Sequence, residues 1–214
     1  MVNLVAKKPH EHPNTAPARP RGSYARSERT RHAIVEAAFD VFAERGYRSG
    51  SMREIAARAG VGEASIFHHF PAKQDLHLAV LRHRDELSRT RFALDRRDAG
   101  ETLATLVNLA AYNATVPAIV RLYLGTALDG VLQEGHSRAY FAGRSRDVVE
   151  RLVGTFEMLE REGRLNPGVE PRRAARRGLA LWDGLQLQWL YDPESVDVAG
   201  ELRAYFNGLL RKPL

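Results

Sequence analysis

The fold of this chain is decided by residues 30–81, which read TRHAIVEAAFDVFAERGYRSGSMREIAARAGVGEASIFHHFPAKQDLHLAVL. Apolar residues at its start recur at the spacing of one helix face, and acidic residues fall between them. These apolar residues are Ile34, Ala38, Val41 and Phe42. The spacing predicts an amphipathic helix. We place it over residues 27–46, because Gly46 suits the left-handed residue that commonly ends a helix.

Two short helices are predicted next, separated by a tight turn. Ser51 is a typical N-cap, and Glu54 three residues later completes a capping box for a helix over Met52–Ala59. The glycines of the following GVG sequence end this helix, and a third helix is predicted over residues 63–70. A fourth is predicted over residues 72–91. A longer helix followed by two short helices and a glycine turn is the outline of a helix-turn-helix.

The remainder of the chain has only helical patterns. We predict helices over residues 101–115, 117–133, 137–161, 171–191 and 193–212. No segment alternates apolar and polar residues with β-branched enrichment, which is the pattern typical of strands. The sequence therefore predicts an all-α fold, in which an N-terminal helix-turn-helix domain precedes a larger helical domain.

Residues 30–81 resemble the DNA-binding domain of the tetracycline-repressor (TetR) family. The matching pieces are AAFDVFAERGY, MREIAARAGV, SIFHHF and PAKQDL. The later stretch WDGLQLQWLYDPESVDVAGELRAY is similar to the C-terminal helices of many members. The resemblance implies a DNA-binding domain over residues 25–71 and a ligand-binding regulatory domain over residues 72–214. It also implies a connecting helix at 72–91 and dimerisation helices at 171–212.

The third predicted helix supplies the side chains expected to read DNA. A recognition helix directs its first turn at base edges in the major groove, and here that turn holds Glu63, Ala64 and Ser65. Ser65 can hydrogen-bond a base edge, and the Ala64 methyl can contact a thymine methyl. For Glu63 two interpretations stay open: acceptance from a cytosine amine, or stabilisation of the helix start by its charge.

Further DNA contacts are expected beside this turn. Ser51 stands at an exposed helix start that favours a phosphate. Arg53 occupies a position where the family often places a base or phosphate contact, with a plain surface arginine as the alternative. Lys73 matches a family lysine, which implies a phosphate contact. We expect His68 to contact phosphate and His69 to pack on the helix.

Three positions depart from the family pattern in ways that weaken phosphate binding. Phe67 stands where a tyrosine hydroxyl usually reaches a phosphate, Gly50 where threonine is frequent, and Gly62 where a serine or threonine cap is common. The basic segment 1–24 offers compensation. It holds four of the ten prolines and few large apolar groups, so we predict a disordered arm. This arm is either a solvated tail or an extension that lies in a DNA groove.

Charge is concentrated at the front of the chain. Residues 1–24 carry four basic and one acidic residue, and residues 25–92 carry twelve and nine. Residues 93–214 carry sixteen of each, so the front is the part suited to a polyanion. There is no cysteine, and adjacent histidines such as His68 and His69 point about 100° apart on a helix. Because phosphate-loop, nucleophile-elbow and zinc-protease motifs are also missing, we expect no cofactor, no metal site and no enzyme.

Aromatic and polar side chains in the neutral back half are candidates for a ligand site. For each one, core packing is the alternative role. The candidate ligand contacts are Tyr112, Asn113, Tyr123, Thr126, Trp182 and Gln186. The candidate dimer contacts are Leu179, Leu185, Trp189 and Tyr205. The resemblance implies that the ligand contacts line a pocket for a small, largely apolar effector, and a charge-poor pocket argues against a polyanionic one.

The predicted function is therefore a ligand-responsive transcriptional regulator, more specifically a repressor, that binds a palindromic operator in double-stranded DNA as a homodimer. The alternative is an architectural DNA-binding protein that responds to no ligand. We expect a cytoplasmic, nucleoid-associated bacterial protein. The uncharged stretch of 19 residues from 102 to 120 contains Pro117 and two asparagines, so we predict two buried helices there and no membrane span.

Overall fold

The helices pack into a bundle. The computed structural model describes residues 21–92, 98–132 and 136–214. These ranges hold nine α-helices. They are α1 (Arg21–Ser49), α2 (Met52–Ala59), α3 (Glu63–His69), α4 (Lys73–Phe92), α5 (Ala99–Ala114), α6 (Pro117–Leu132), α7 (His136–Arg161), α8 (Pro171–Tyr191) and α9 (Val198–Leu209). The prediction of an all-α fold is confirmed. Among the described residues the only β-type pairing is an isolated antiparallel bridge between Leu165 and Leu210.

Two helix boundaries differ from the predicted ones by about five residues or more. Helix α1 begins at Arg21, so residues 21–24, which composition assigned to the disordered arm, are helical; residues 1–20 of that arm lie outside the described ranges. Helix α9 begins at Val198 and not at residue 193, because the Asp197 carboxylate accepts a hydrogen bond from the Gly200 amide and caps the helix there. The break at Gly46 is confirmed, since its φ is +77°.

The helices enclose two hydrophobic cores. The first contains buried residues of α1, α2 and α3, together with Leu76, Ala79 and Val80 of α4 and Leu122 of α6. The second lies among α5 to α9, around Phe156 and Phe206. Helix α4 therefore contributes to the first core although the sequence assigned it to the regulatory domain. Its N-terminal half is fixed to the DNA-binding unit by packing.

No single helix in the described ranges is long and apolar enough to cross a membrane. Helices α5 and α6 pass the length and composition criteria only as a pair, and the pair is bent by 103°. The bend lies at the break before Pro117, where the sequence predicted two helices to meet. Side chains of both helices, such as Leu103 and Val120, belong to the second core.

A buried histidine joins the two cores. His77 of α4 is only 3% exposed, and its ring stacks on Tyr47 of α1 with ring centroids 4.0 Å apart. The hydroxyl of Thr126 on α6 donates to the Leu122 carbonyl at 2.7 Å, so its oxygen is free to accept from the Nε2–H of His77 at 2.9 Å. Nearby, Arg48 of α1 pairs with Asp129 of α6 at 3.5 Å. Helices α1, α4 and α6 therefore meet at one polar contact.

This arrangement predicts a loss of stability in mild acid. Burial lowers the pKa of His77 to about 4, because the site disfavours the charged imidazolium. The nearby Asp129 carboxylate favours the charged form but offsets this only in part. The unfolded chain takes up a proton near pH 6.5 but the folded chain does not until about pH 4. The free energy of unfolding should therefore fall by roughly 3 kcal/mol between those pH values. Denaturant melts of the His77→Gln variant should lack most of this slope, and equal slopes in both proteins would contradict the assignment.

Candidate functional site

Local hydrogen bonds shape the turn between α2 and α3. Ser51 caps α2, and its hydroxyl accepts from the Glu54 amide at 3.1 Å, which confirms the predicted cap. At the other end Gly60 has φ +67° and ψ 30°, the left-handed conformation that glycine adopts without strain. Its amide and that of Val61 donate back to Ala57 and Ala56. The turn is thus fixed by its own backbone, and it sets the direction of α3.

Helix α3 buries one face and presents the other to solvent. Ile66 is fully buried and Phe70, at the C-cap, is 3% exposed. Glu63, Ala64, Phe67 and His68 are exposed, while Ser65 and His69 are half-buried. The predicted recognition residues therefore share the open side of this helix. At its start Gly62 gives no side-chain cap, so the first backbone N–H groups of α3 are left to other acceptors.

The other predicted DNA contacts fall into three environments. Ser51 and Arg53 are exposed at the start of α2, and Arg53 makes no ion pair with any described residue. The rings of His68 and His69 meet edge to face at 5.3 Å, and burial lowers the pKa of His69. Lys73 is turned inward, where its ammonium donates to the Arg48 carbonyl at 3.2 Å and lies 4.9 Å from the Tyr47 ring. In this position Lys73 satisfies a backbone carbonyl at the C-terminal end of α1.

Close packing explains why residue 50 is a glycine, which the sequence did not reveal. A Cβ atom at this buried position would lie 2.7 Å from the Phe42 ring and 3.0 Å from the Val41 side chain. A threonine here would have to displace the first core. The glycine is therefore a packing feature and not merely a missing phosphate contact.

Replacing Gly50 and Gly62 separately by threonine should have different effects on stability. Gly50→Thr should lower the free energy of unfolding by about 1–3 kcal/mol, because it overpacks the first core. Gly62→Thr should change it by no more than a few tenths, since a Cβ at Gly62 meets nothing within 4 Å and threonine and glycine are similar N-caps. Chemical denaturation of both variants measures the difference. Equal losses would show that the contact with Phe42 is not what demands glycine.

A large cavity lies in the second half of the chain, within the second core and against α4. Its volume is about 650 Å³, well inside the range of small-molecule sites. Helices α4 to α9 all contribute to its walls. Most of the lining is apolar and includes Leu106, Leu109, Val148, Leu152, Met158 and Leu179. The space suits a molecule with a hydrophobic body.

The cavity also contains charged side chains, five arginines and two aspartates, which corrects the expectation of a charge-poor pocket. Asp85 of α4 is the centre of a network: it accepts from Arg84 at 3.2 Å, from Arg144 of α7 at 3.0 Å and from the Tyr140 hydroxyl at 2.6 Å. Arg144 also donates to the Tyr123 hydroxyl at 2.7 Å. The expectation was wrong because it rested on the uncharged stretch of α5 and α6, whereas these charges come from α4, α7 and α8.

Burial and neighbouring charges together set the pKa values of the residues in this network. Burial alone would raise the pKa of Asp85, but the charges of Arg144 and Arg84 and the hydrogen bonds from Tyr140 and Arg144 outweigh it and lower that pKa. Burial lowers the pKa of Arg84, whose guanidinium lies 4.8 Å from the Tyr123 ring centroid. The two arginines and one carboxylate thus form a shared ion pair that bridges α4 and α7.

Asp183 of α8 differs from the other charged residues of the cavity. It forms no hydrogen bond or ion pair with any residue that the structure describes, and burial raises the pKa of its carboxyl. A mostly buried acceptor without a donor carries a desolvation cost. Its carboxylate is therefore the open hydrogen-bonding position of the cavity.

Only part of the predicted ligand set lines this cavity. Tyr123 and Trp182 do. Tyr112 and Asn113 line a separate cleft beside it. Thr126 is buried in the contact with His77. The amide of Gln186 is buried with neither atom hydrogen-bonded within the described ranges, and Gln186 does not line the cavity.

The four predicted dimer contacts are all used within the single chain. Leu185 and Trp189 are buried in the second core, and Leu179 lines the cavity. Tyr205 is half-buried, and its hydroxyl donates to the Ala174 carbonyl at 2.7 Å. The apolar stripe of α8 chosen from the sequence faces its own bundle, since neighbouring helices of the same chain compete for it.

Sequence reasoning missed the polar residues that matter most in the cavity. These are Arg84, Asp85, Tyr140, Arg144 and Asp183. A signal for Arg84 and Asp85 was available: they interrupt the apolar run of α4 on the side where Leu81 and Val80 are buried. The partners on α7 and α8 lie 59 and about 100 residues away, so only tertiary structure brings them together. Within the described residues no group of three or more His, Cys, Asp or Glu is placed to hold a metal ion.

Comparisons with known proteins agree with this geometry. Residues 34–80 match the model of a family described as "Bacterial regulatory proteins, tetR family". The chain is 37% identical over 157 residues to the HTH-type transcriptional repressor LfrR of Mycolicibacterium smegmatis, covering 72% of this chain and 76% of that one. It is 27% identical over 190 residues to the HTH-type transcriptional repressor BepR of Brucella suis, covering 83% and 88%. A TetR transcriptional regulator from Chloroflexus aurantiacus has the same fold, with a TM-score of 0.70, 21% identity and coverage of 88% and 99%.

Proposed function

The chain belongs to the tetR family of bacterial regulatory proteins, and from this membership we propose that it is a homodimeric repressor that releases a palindromic operator when a small amphiphile occupies the 650 Å³ cavity. As a family member it is a DNA-binding transcriptional regulator and not an enzyme. The observation that carries the finer proposal is that α4 belongs both to the first core and to the wall of the cavity.

The open side of α3 supports operator recognition. Ala64 is exposed and Ser65 is half-buried in its first turn, where both are available for base edges. Arg53, exposed at the start of α2, forms no ion pair with a described residue and is a cation beside this helix. We assign base readout to the first turn of α3, and phosphate contacts to Ser51, Arg53 and His68.

The cavity supports an effector that is apolar over most of its surface and carries one hydrogen-bond donor. The apolar walls would cover its body, and the Asp183 carboxylate would accept from its donor. Such a ligand would relieve the desolvation cost of that buried acceptor. Binding energy would thus come from apolar contact, while orientation would come from Asp183.

Two helices connect the cavity to the DNA-binding unit. On α4, Arg84 lines the cavity and His77, two turns earlier, packs against Tyr47 of α1. On α6, Tyr123 lines the cavity and Thr126, one turn later, accepts from His77. A ligand that moves α4 relative to α6 would strain this contact. A coupling of roughly 1–3 kcal/mol would change operator affinity about 5- to 150-fold.

The homodimer is supported by a second face of α8. Its exposed and half-exposed residues recur at intervals of three and four positions, the spacing of a helix–helix seam. They are Arg177, Ala180, Gly184, Leu187 and Tyr191. Leu187 is 46% and Tyr191 is 83% exposed, which is unusual for apolar side chains unless another surface covers them. Ala204 and Gly208 lie open on the adjacent α9.

A bulky charged side chain on this face of α8 should disrupt the proposed dimer. Gly184→Arg should convert the dimer to a monomer at micromolar concentration, because a Cβ at Gly184 meets no described atom within 4 Å and the longer side chain would project into the partner. Gly143→Arg on α7 is the matched control, since its Cβ also meets nothing within 4 Å. Sedimentation velocity distinguishes the two. A Gly184→Arg protein that still sediments as a dimer would place the interface elsewhere.

The proposal is tested by selecting genomic fragments with the purified protein and footprinting the enriched ones. One palindrome with half-sites about 34–36 Å apart, bound in preference to random DNA at physiological salt, supports the repressor. Genes beside it then indicate the chemistry of the effector. Enrichment of nothing beyond bulk DNA would contradict the proposal and favour an architectural protein that binds DNA without regard to sequence.

A further inference from the structure

A second, smaller cleft lies between the two cores. Its volume is about 370 Å³, which still accommodates a single-ring molecule. Its walls come from α1, α4, α5 and the start of α6, and include Phe39, Arg84, Arg91, Tyr112, Asn113 and Ile119. Arg84 and Ser88 line both this cleft and the larger cavity, so the two spaces are neighbours but have different walls.

An unpartnered amide marks this cleft as a binding site. Asn113 is only 3% exposed, and its Nδ2 is buried without a hydrogen-bond partner in the described ranges. Buried donors in folded proteins are nearly always paired. Asn113 lines the cleft, and a 180° turn of its amide exchanges Oδ1 with Nδ2 and presents the donor to an acceptor bound there.

The charges around the cleft determine what that molecule is. Arg84 and Arg91 both line it, and none of its lining residues is acidic. The guanidinium of Arg91 lies 4.2 Å from the Tyr112 ring centroid and pairs with no described carboxylate. Asp85 neutralises Arg84 in part, from the side of the larger cavity. Among the described residues, donors and positive charge therefore surround the cleft without a matching anion, which favours a carboxylate ligand.

The apolar part of the wall completes the description. Phe39, Tyr112 and Ile119 offer two aromatic rings and a branched aliphatic side chain. We propose that this cleft is a second small-molecule site, distinct from the effector cavity, that binds a single-ring aromatic carboxylate. The ring lies among Phe39, Tyr112 and Ile119, and the carboxylate accepts from the Asn113 amide and pairs with Arg91. The site depends neither on DNA binding nor on the larger cavity.

The test uses benzoate as the probe and benzyl alcohol as its uncharged analogue, with binding measured by calorimetry and ligand-observed NMR on the full chain. The wild type should bind benzoate saturably and at least about tenfold more tightly than benzyl alcohol. Arg91→Gln, an exposed change that leaves the cores intact, should remove that preference. Asn113→Leu should weaken benzoate by about tenfold, and its melting temperature reports whether the fold is intact.

Two filling variants distinguish the two spaces. Ile119→Trp should abolish benzoate binding because it fills the small cleft. Gly154→Phe, at a glycine that lines only the larger cavity and has room for a Cβ, should leave it unchanged. Loss of binding in Gly154→Phe with retention in Ile119→Trp would overturn the proposal and place benzoate in the larger cavity. The absence of saturable binding to the wild type would overturn it as well.

Discussion

Replacing Ala64 by aspartate should lower operator affinity by at least about 100-fold, because it places a carboxylate among base edges and phosphates, where like charges repel by several kcal/mol. Ala64 is exposed in the first turn of α3, so the change removes no core contact. The same charge is favourable to the helix itself, since a negative side chain near a helix N-terminus stabilises it by about 0.3–1 kcal/mol. The two effects have opposite signs.

Because Ala64→Asp should weaken operator binding but not destabilise the fold, the two effects can be measured separately. Thermal unfolding should report unchanged or slightly higher stability, while titration of the selected genomic fragment reports the loss of binding. The matched control is Ala142→Asp, which adds the same charge at an exposed alanine of α7. If the control weakens binding as much as Ala64→Asp, net charge is responsible and α3 is not the reading helix. If neither variant weakens it, the recognition surface lies elsewhere.

The sequence predicted the helix-turn-helix well because its signals are local. The Ser51 cap and the glycine turn act within a few residues: the Ser51 hydroxyl accepts from the Glu54 amide, and α2 ends at Gly60 as expected. The predicted capping box is only half formed, because the Glu54 carboxylate pairs with Arg45 and Arg58. The apolar spacing from Ile34 to Phe42 likewise identified the first core. Where neighbours along the chain determine the conformation, sequence periodicity is sufficient evidence.

Residues whose roles depend on distant partners could not be predicted in the same way. Leu185 and Trp189 form an apolar stripe that suits either a partner subunit or the same bundle, and only the packing of α8 against its neighbours decides for the bundle. Lys73 was expected at a phosphate, but the Arg48 carbonyl, 25 positions earlier, attracts its ammonium. Asp85 carried no motif, because its meaning comes from Arg144 and Tyr140 on another helix.

Asp85 is the residue whose loss should affect the regulatory half most. In the Asp85→Asn variant, Arg84 and Arg144 keep their charges inside the protein but lose the carboxylate they share. Removing one member of a buried ion pair costs about 3–5 kcal/mol, since the remaining charge is left uncompensated. Asp85 is 23% exposed, so we expect about 3 kcal/mol, the lower end of that range. Helix α4 would at the same time lose its polar connection to α7.

The Glu150–Arg172 pair provides the control that separates burial from geometry. Its distances of 2.6 and 3.0 Å are at least as short as those around Asp85, but both side chains are about half exposed. Glu150→Gln should therefore cost far less stability than Asp85→Asn, because an exposed ion pair contributes little. The lowered pKa of Asp85 adds a second criterion. A carboxylate with a depressed pKa stabilises the fold above its unfolded value near pH 3.8, and loses that contribution as pH falls further. In denaturant melts the wild type and Asp85→Asn should thus differ at neutral pH, and the difference should begin to shrink only below about pH 3.8. A difference that does not shrink in acid, or an equal cost for Glu150→Gln, would mean that the arginines are not held by charge.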